Sequence, residues 1–165
     1  MRKLIPIIII LVLALILSFT PACGKAVPTA EEAPEEVELA SKELLKALAQ
    51  GNLEEAERLI EHGADVNARN KDNMTALIYA ADLGHTDTVE MLIDNGADVN
   101  ATDNYGRTAL IYAADLGHTD TVEMLIDNGA DVNATDNYGR TALMHAMGNG
   151  DTETAKLLKE KGATE

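Results

Sequence analysis

Aromatic side chains are nearly missing from this chain: its 165 residues include no Trp, one Phe and four Tyr. Rings of that kind usually fill a deep globular core. An apolar content built from Ala, Leu, Ile, Val and Met suits thin layers of helix on helix instead. Cysteine is scarcer still, for Cys23 stands alone and excludes any intrachain disulfide. Positive charge is also short, with 13 Lys and Arg against 28 Asp and Glu and a net charge of −15. Nucleic acid is disfavoured as a partner because phosphates would meet a repelling surface, while a partner protein with a basic surface stays open. The same acidity also reads simply as a solubility device.

Catalytic and metal-binding patterns are missing as well. His62 and His145 are isolated, and no H-x-x-x-H, C-x-x-C or Ser/His/Asp order suggests a zinc or nucleophilic site. Asp98-x-Asn100-x-Thr102 opens like a calcium loop, but its twelfth position is Ala109 where a bidentate Glu is needed, so turn chemistry explains it. No glycine-rich phosphate loop is present. The expectation is a protein without catalytic activity, cofactor or metal.

What the chain does have is repetition. Thr75 to Leu110 recurs letter for letter as Thr108 to Leu143, with a weaker copy on either side. Gly51, Gly84, Gly117 and Gly150 form one ladder at this period, and Gly63, Gly96, Gly129 and Gly162 a second. A fixed period in this range marks units that bury their apolar faces only against their neighbours. Within one unit, Asp103 to Gly106 reads as a turn, and Thr108 as the N-cap of a first helix that stops at Gly117. A second helix starts near Thr119 or Asp120, with Asp120 and Glu123 at capping-box spacing. It presents Val122, Leu125 and Ile126 on one face and ends at Gly129. Asp131 to Ala134 is expected to run extended into the next turn.

The amino terminus has the layout of an export signal. Met1, Arg2 and Lys3 precede an apolar run from Leu4 to Phe19, and small residues follow before Cys23. Sixteen residues of helix span about 24 Å, short of a bilayer core, so a permanent span is the lesser reading beside cleavage. Loss of residues 1–22 removes Arg2 and Lys3 and takes the net charge from −15 to −17. Thr20-Pro21-Ala22-Cys23 resembles the lipobox of bacterial lipoproteins, which implies a lipid on Cys23. It departs from that pattern at Thr20, where Leu is usual, and at Pro21, and simple cleavage near Ala22 is the alternative. Residues 23–36, rich in Pro and Glu, hold too little apolar surface to fold and read as a disordered tether.

The repeat itself resembles the ankyrin repeat. Thr75-Ala76-Leu77, Ala80-Ala81, Gly84-His85 and Gly96-Ala97-Asp98-Val99-Asn100 fall in the family's register and recur in the next copy. His85 and His118 then take the structural G-H position. The family's proline is replaced by Ala76, Ala109 and Ala142, and the histidine after its leucine by Ile78, Ile111 and Met144. Loss of that histidine removes a link between turns, so a looser array is expected. The resemblance implies an all-α solenoid of four stacked helix-turn-helix units with short β-turn and hairpin loops. Its units fall at 37–69 (N-capping), 70–102, 103–135 and 136–165 (C-capping), after the signal segment and tether. Apolar positions turn charged at the ends: Met91 and Met124 correspond to Arg58, Ile93 and Ile126 to Lys159, and Tyr79 and Tyr112 to Lys46 and His145. These substitutions read as polar caps, with the array beginning near Val37 and complete at Glu165.

The same resemblance implies binding of a protein through turn tips and first helices. The tips contribute Arg69, Lys71, Asp72 and Met74, then Asn104, Tyr105 and Arg107, then Asn137, Tyr138 and Arg140. First-helix ends add Asp82, Leu83, Asp115 and Leu116. Tyr and Arg are favoured at interfaces, although each Tyr could instead lie over its own turn and each Arg pair with nearby acids. The leading expectation is a monomeric, non-catalytic interaction module on an exported, membrane-anchored lipoprotein facing the periplasm or cell exterior. An inhibitor or immunity factor covering a basic toxin or enzyme is one alternative, and a structural or protective envelope lipoprotein another.

Overall fold

The computed structural model describes residues 33–164. The signal segment, Cys23 and most of the tether lie outside the described residues. Eight helices follow one another: α1 (Ala33–Ala49), α2 (Leu53–Glu61), α3 (Ala76–Asp82), α4 (Thr86–Asp94), α5 (Ala109–Asp115), α6 (Thr119–Asp127), α7 (Ala142–Gly148) and α8 (Thr152–Glu160). They form four pairs, and like helices stack on like, α1, α3, α5 and α7 in one layer and α2, α4, α6 and α8 in the other. Among the described residues the only β pairing is two single bridges, Thr102 with Thr108 and Thr135 with Thr141. An all-α repeat solenoid is the result.

Local chemistry explains each first helix. The hydroxyls of Thr75, Thr108 and Thr141 accept the third helical N–H, from Ile78, Ile111 and Met144, each at 3.3 Å. That satisfies one of the donors a helix start leaves open. At the other end, Gly117 takes φ 73, and the His118 N–H reaches back to the Ala113 carbonyl at 2.9 Å, closing a Schellman turn. Alanines at 80, 81, 113 and 114 leave no room between layers, and Leu77, Leu92, Leu110, Leu125, Leu143 and Leu158 fill the seam with almost no exposure.

Three local expectations are corrected. The capping box at Asp120 and Glu123 does not form: α6 starts at Thr119, one of the two expected starts, its N-cap His118 makes no side-chain cap bond, and Asp120 stays exposed in the first turn. The hydroxyls nearby serve the stack instead, Thr86 with Thr121 at 2.9 Å and Thr119 with Thr154 at 2.7 Å. Asp131 to Ala134 is a tight turn and not an extended strand, because Asp131 Oδ1 accepts the Asn133 N–H at 2.9 Å. Helix α1 begins at Ala33, four residues before the expected start of the first repeat at 37. Pro34 falls in its first turn, where a missing N–H costs nothing.

The end-cap expectation holds only in part. Lys46, Arg58 and Lys159 are exposed. His145, the counterpart of Tyr112, is not a solvated cap: its side chain is 7% exposed and reaches into the preceding repeat. Met144 and Met147, which match the fully buried Ile111 and Ala114, are exposed at 39% and 47%.

Candidate interaction surface

Each tip is organised by one Asx side chain. Asp103, 6% exposed, accepts the N–H groups of Tyr105 and Arg107 on Oδ1, both at 2.8 Å. Its Oδ2 accepts the Tyr112 hydroxyl at 2.8 Å and pairs with Arg107 at 3.3 Å. Asp136 repeats the pattern on Tyr138 and Arg140, with both N–H bonds at 2.9 Å. Its Oδ2 takes Arg140 Nε at 2.9 Å and His145 Nε2 at 3.1 Å. Burial alone would raise the Asp136 carboxyl, but the N–H and guanidinium of Arg140, His145 and the Tyr138 N–H together hold it well below the ordinary carboxylate range. Burial first and the Asp103 bond second push the Tyr112 phenol well above its usual value.

The second copy solves the same problem without charge. Asn70 Oδ1 accepts the N–H groups of Asp72 and Met74 at 2.8 and 3.0 Å, and its amide donates to the Tyr79 hydroxyl at 3.0 Å. Met74 stands where the next copies have Arg107 and Arg140. Where the arginine is missing, the carboxylate is replaced by an amide, so the pair changes as a unit and no buried charge is left unmatched.

Tips are also bonded to one another. The Asn104 N–H donates to the Asp72 carbonyl at 3.1 Å and its amide to the Lys71 carbonyl at 3.2 Å. Asn137 repeats this on the carbonyls of Tyr105 at 2.9 Å and Asn104 at 3.0 Å. Behind them, Asn67 and Asn100 each donate to a glycine carbonyl one repeat on, Gly96 at 2.9 Å and Gly129 at 3.1 Å. These asparagines link turns in an array whose family histidine is replaced by buried Ile78 and Ile111.

The fourteen expected contact residues therefore fall into two groups. Arg69 donates to the Thr102 carbonyl at 3.0 Å, and Asn104 and Asn137 hold the tip ladder. Arg107 lies half-buried against the Tyr112 ring, 4.1 Å from its centre, and Arg140 is paired with Asp136. Met74 packs on the core. Asp115 Oδ1 bonds His145 Nδ1 at 3.0 Å and the Asn149 amide at 2.8 Å, while the Asp82 backbone carbonyl meets His118 Nε2 at 3.1 Å. Facing solvent are Tyr105 at 55% exposure, Tyr138 at 72%, Leu83 at 40% and Leu116 at 52%, together with Lys71 and Asp72; Arg69, Asn104, Asn137 and Arg140 are exposed as well as bonded. Arg107 and Arg140 lie over the rings of Tyr105 and Tyr138 at 5.3 and 5.1 Å, a cation–π range that restrains each ring.

Among the described residues no group of three or more His, Cys, Asp or Glu could hold a metal ion. No described helix is long and apolar enough to cross a membrane. Helix pairs stacked in register, with bonded finger-like turns, define a repeat scaffold that offers a surface along its length. A family model described as ankyrin repeats (3 copies) matches residues 41–103 and again 102–164, and the chain belongs to that family. Ankyrin repeats are generic protein-protein interaction modules and typically non-catalytic. No curated protein matches the chain.

Proposed function

We propose that this chain is a non-catalytic binding module, exported and held at the cell envelope through Cys23, that engages a protein partner with a basic surface through its tips and first-helix ends. One observation carries this reading: Tyr105 and Tyr138 project from adjacent tips, each largely exposed and each restrained by its own arginine. A large amphipathic ring already held in place loses little freedom on binding, which favours it as an anchor. Leu83 and Leu116 add one exposed apolar group per repeat at the C-caps of α3 and α5. Because Asp103 and Asp136 already pair Arg107 and Arg140, the remaining acidic surplus favours a cationic partner.

The tether rests on the sequence Thr20-Pro21-Ala22-Cys23 after an apolar run. With α1 starting at Ala33, residues 24–32 could separate a lipid on Cys23 from the array by at most about 30 Å. Intact mass of the membrane-extracted protein tests the tether: a species starting at Cys23 with added acyl mass is expected, and a full-length or unacylated species overturns it. Capture of an abundant partner, lost when Tyr105 and Tyr138 are both changed to Ala, tests the surface. Capture that survives both changes overturns the assignment. The tyrosines are chosen over the arginines because Arg107 and Arg140 also hold the fold.

A further inference from the structure

Asp82 and Asp115 are the last residues of α3 and α5, inside a stretch that the two repeats share letter for letter. Their surroundings are not shared. The Asp115 carboxylate meets His145 Nδ1 at 3.0 Å and the Asn149 amide at 2.8 Å, and it also feels the charge of Arg107. At the matching places around Asp82 stand Tyr112, Leu116 and Met74. The Tyr112 phenol senses the Asp82 charge, so the two lie close, but its hydroxyl donates to Asp103, and Leu116 and Met74 have no donor to offer. Of Asp82 only the backbone carbonyl is bonded, to His118, and among the described residues no donor or cation meets its half-buried carboxylate.

A carboxylate in this place is unfavourable by itself. As the last residue of a helix it adds negative charge where the open carbonyls already form the negative end of the dipole, and partial burial strips some of its water. A cation arriving from outside relieves both. Asp82 and Leu83 are adjacent at the end of α3, Leu116 holds the place of Leu83 in the next repeat, and both leucines are exposed, at 40% and 52%. We infer that Asp82 is a specificity-determining residue of the module: it receives one arginine or lysine side chain of the partner protein, whose stem lies along Leu83 and Leu116 while its head meets the carboxylate. Long cationic side chains cover apolar surface with their stems in this way. Arginine is the better match, since its planar fork bonds both carboxylate oxygens at once. The inference rests on the proposed binding function and narrows it from a basic surface to one cation at one junction. Asp115, which the fold already satisfies, takes no such role.

The full chain in detergent, immobilised and panned against a phage-displayed library of random peptides, tests this. Recovered peptides should share an arginine or lysine at one position. That preference should vanish on Asp82→Asn and stay on Asp87→Asn, which removes the same charge from an exposed position on α4. One recovered peptide, synthesised, should bind Asp82→Asn roughly tenfold more weakly than the parent, and Asp87→Asn within about twofold of it. Because nothing in the fold holds the Asp82 carboxylate, Asp82→Asn should not lower the melting temperature, whereas Asp115→Asn should. A shared cation that persists in Asp82→Asn, peptides without a shared cation, equal losses in Asp82→Asn and Asp87→Asn, or a lowered melting temperature in Asp82→Asn would each overturn this inference and leave the binding function standing. Enrichment of no peptide at all would overturn both.

Discussion

Nε2 of His145 lies 3.1 Å from Oδ2 of Asp136, a carboxylate with no exposed surface, while the other ring nitrogen meets Asp115 of the preceding repeat at 3.0 Å. One imidazole thus ties the last tip both to its own helix and to its neighbour. Its counterpart Tyr79 accepts from the Asx residue of its own turn, whereas the Tyr112 hydroxyl meets Asp103 and Arg107 of its own turn and lies 3.7 Å from the Met74 sulfur of the preceding repeat.

His145→Ala should therefore destabilise the array by about 1–3 kcal/mol, because Asp115 and the buried Asp136 each lose a polar partner. His145→Tyr should cost less, since a phenol at this position can still bond Asp136 as Tyr112 bonds Asp103. Urea unfolding of the three proteins tests the order; a His145→Ala midpoint equal to the parent would refute the bridge.

Asp136 predicts the acid behaviour. Its folded carboxyl titrates below its unfolded value of about 3.9, so it contributes stability that is fully present above that pH and lost as pH falls toward the folded value. Stability measured downward from pH 5 should fall, and Asp136→Asn should flatten that fall while lowering stability at neutral pH. An unchanged slope in the variant would sink this account.

Gly106 and Gly139 share nearly the same left-handed backbone, φ 74 and 75, but not the same surroundings. A Cβ on Gly106 would lie 2.5 Å from Asn137 Oδ1 and 3.0 Å from the Asn137 backbone nitrogen, whereas nothing lies within 4 Å at Gly139. Gly139→Ala should cost the backbone strain alone, about 1–2 kcal/mol. Gly106→Ala should cost clearly more, because the tip ladder must shift. Equal melting temperatures for the two variants would show that the ladder carries no weight.

Tyrosine and arginine at the tips should separate by assay. Tyr105→Ala and Tyr138→Ala remove exposed rings and should leave stability within about 0.5 kcal/mol of the parent while weakening partner binding. Arg107→Ala should instead lower stability, since it leaves buried Asp103 without its cation. Thermal unfolding that ranks Tyr138→Ala below Arg107→Ala would reverse these roles.

Much of the fold was legible because its signals are local. The threonine caps, the left-handed glycines and the paired alanines each act within a few residues of chain, and a period of about 33 multiplies them. The failures are equally physical. The capping box at Asp120 and Glu123 matched a pattern, but the N-cap is His118, so Asp120 already lies inside the first turn and cannot cap it. The tip arginines matched an interface composition, and the structure adds that each pairs with the Asx carboxylate of its own turn, with Arg140 still exposed. Asp103 and Arg107 stand at i, i+4 in sequence, but that spacing does not reveal that the carboxylate is buried.

Sequence by itself determined that this protein is a row of helical pairs, that threonines open the first helices of the later three, and that its aliphatic seam needs neighbours. Tertiary structure alone decided which partner each matching position finds: Tyr79 bonds an amide and stays half-buried, Tyr112 bonds a carboxylate and is buried, and His145 reaches 30 residues back to Asp115. The reason is that helix and turn preferences are settled among residues adjacent in the chain, whereas burial, charge pairing and exposure depend on which repeat lies across the seam.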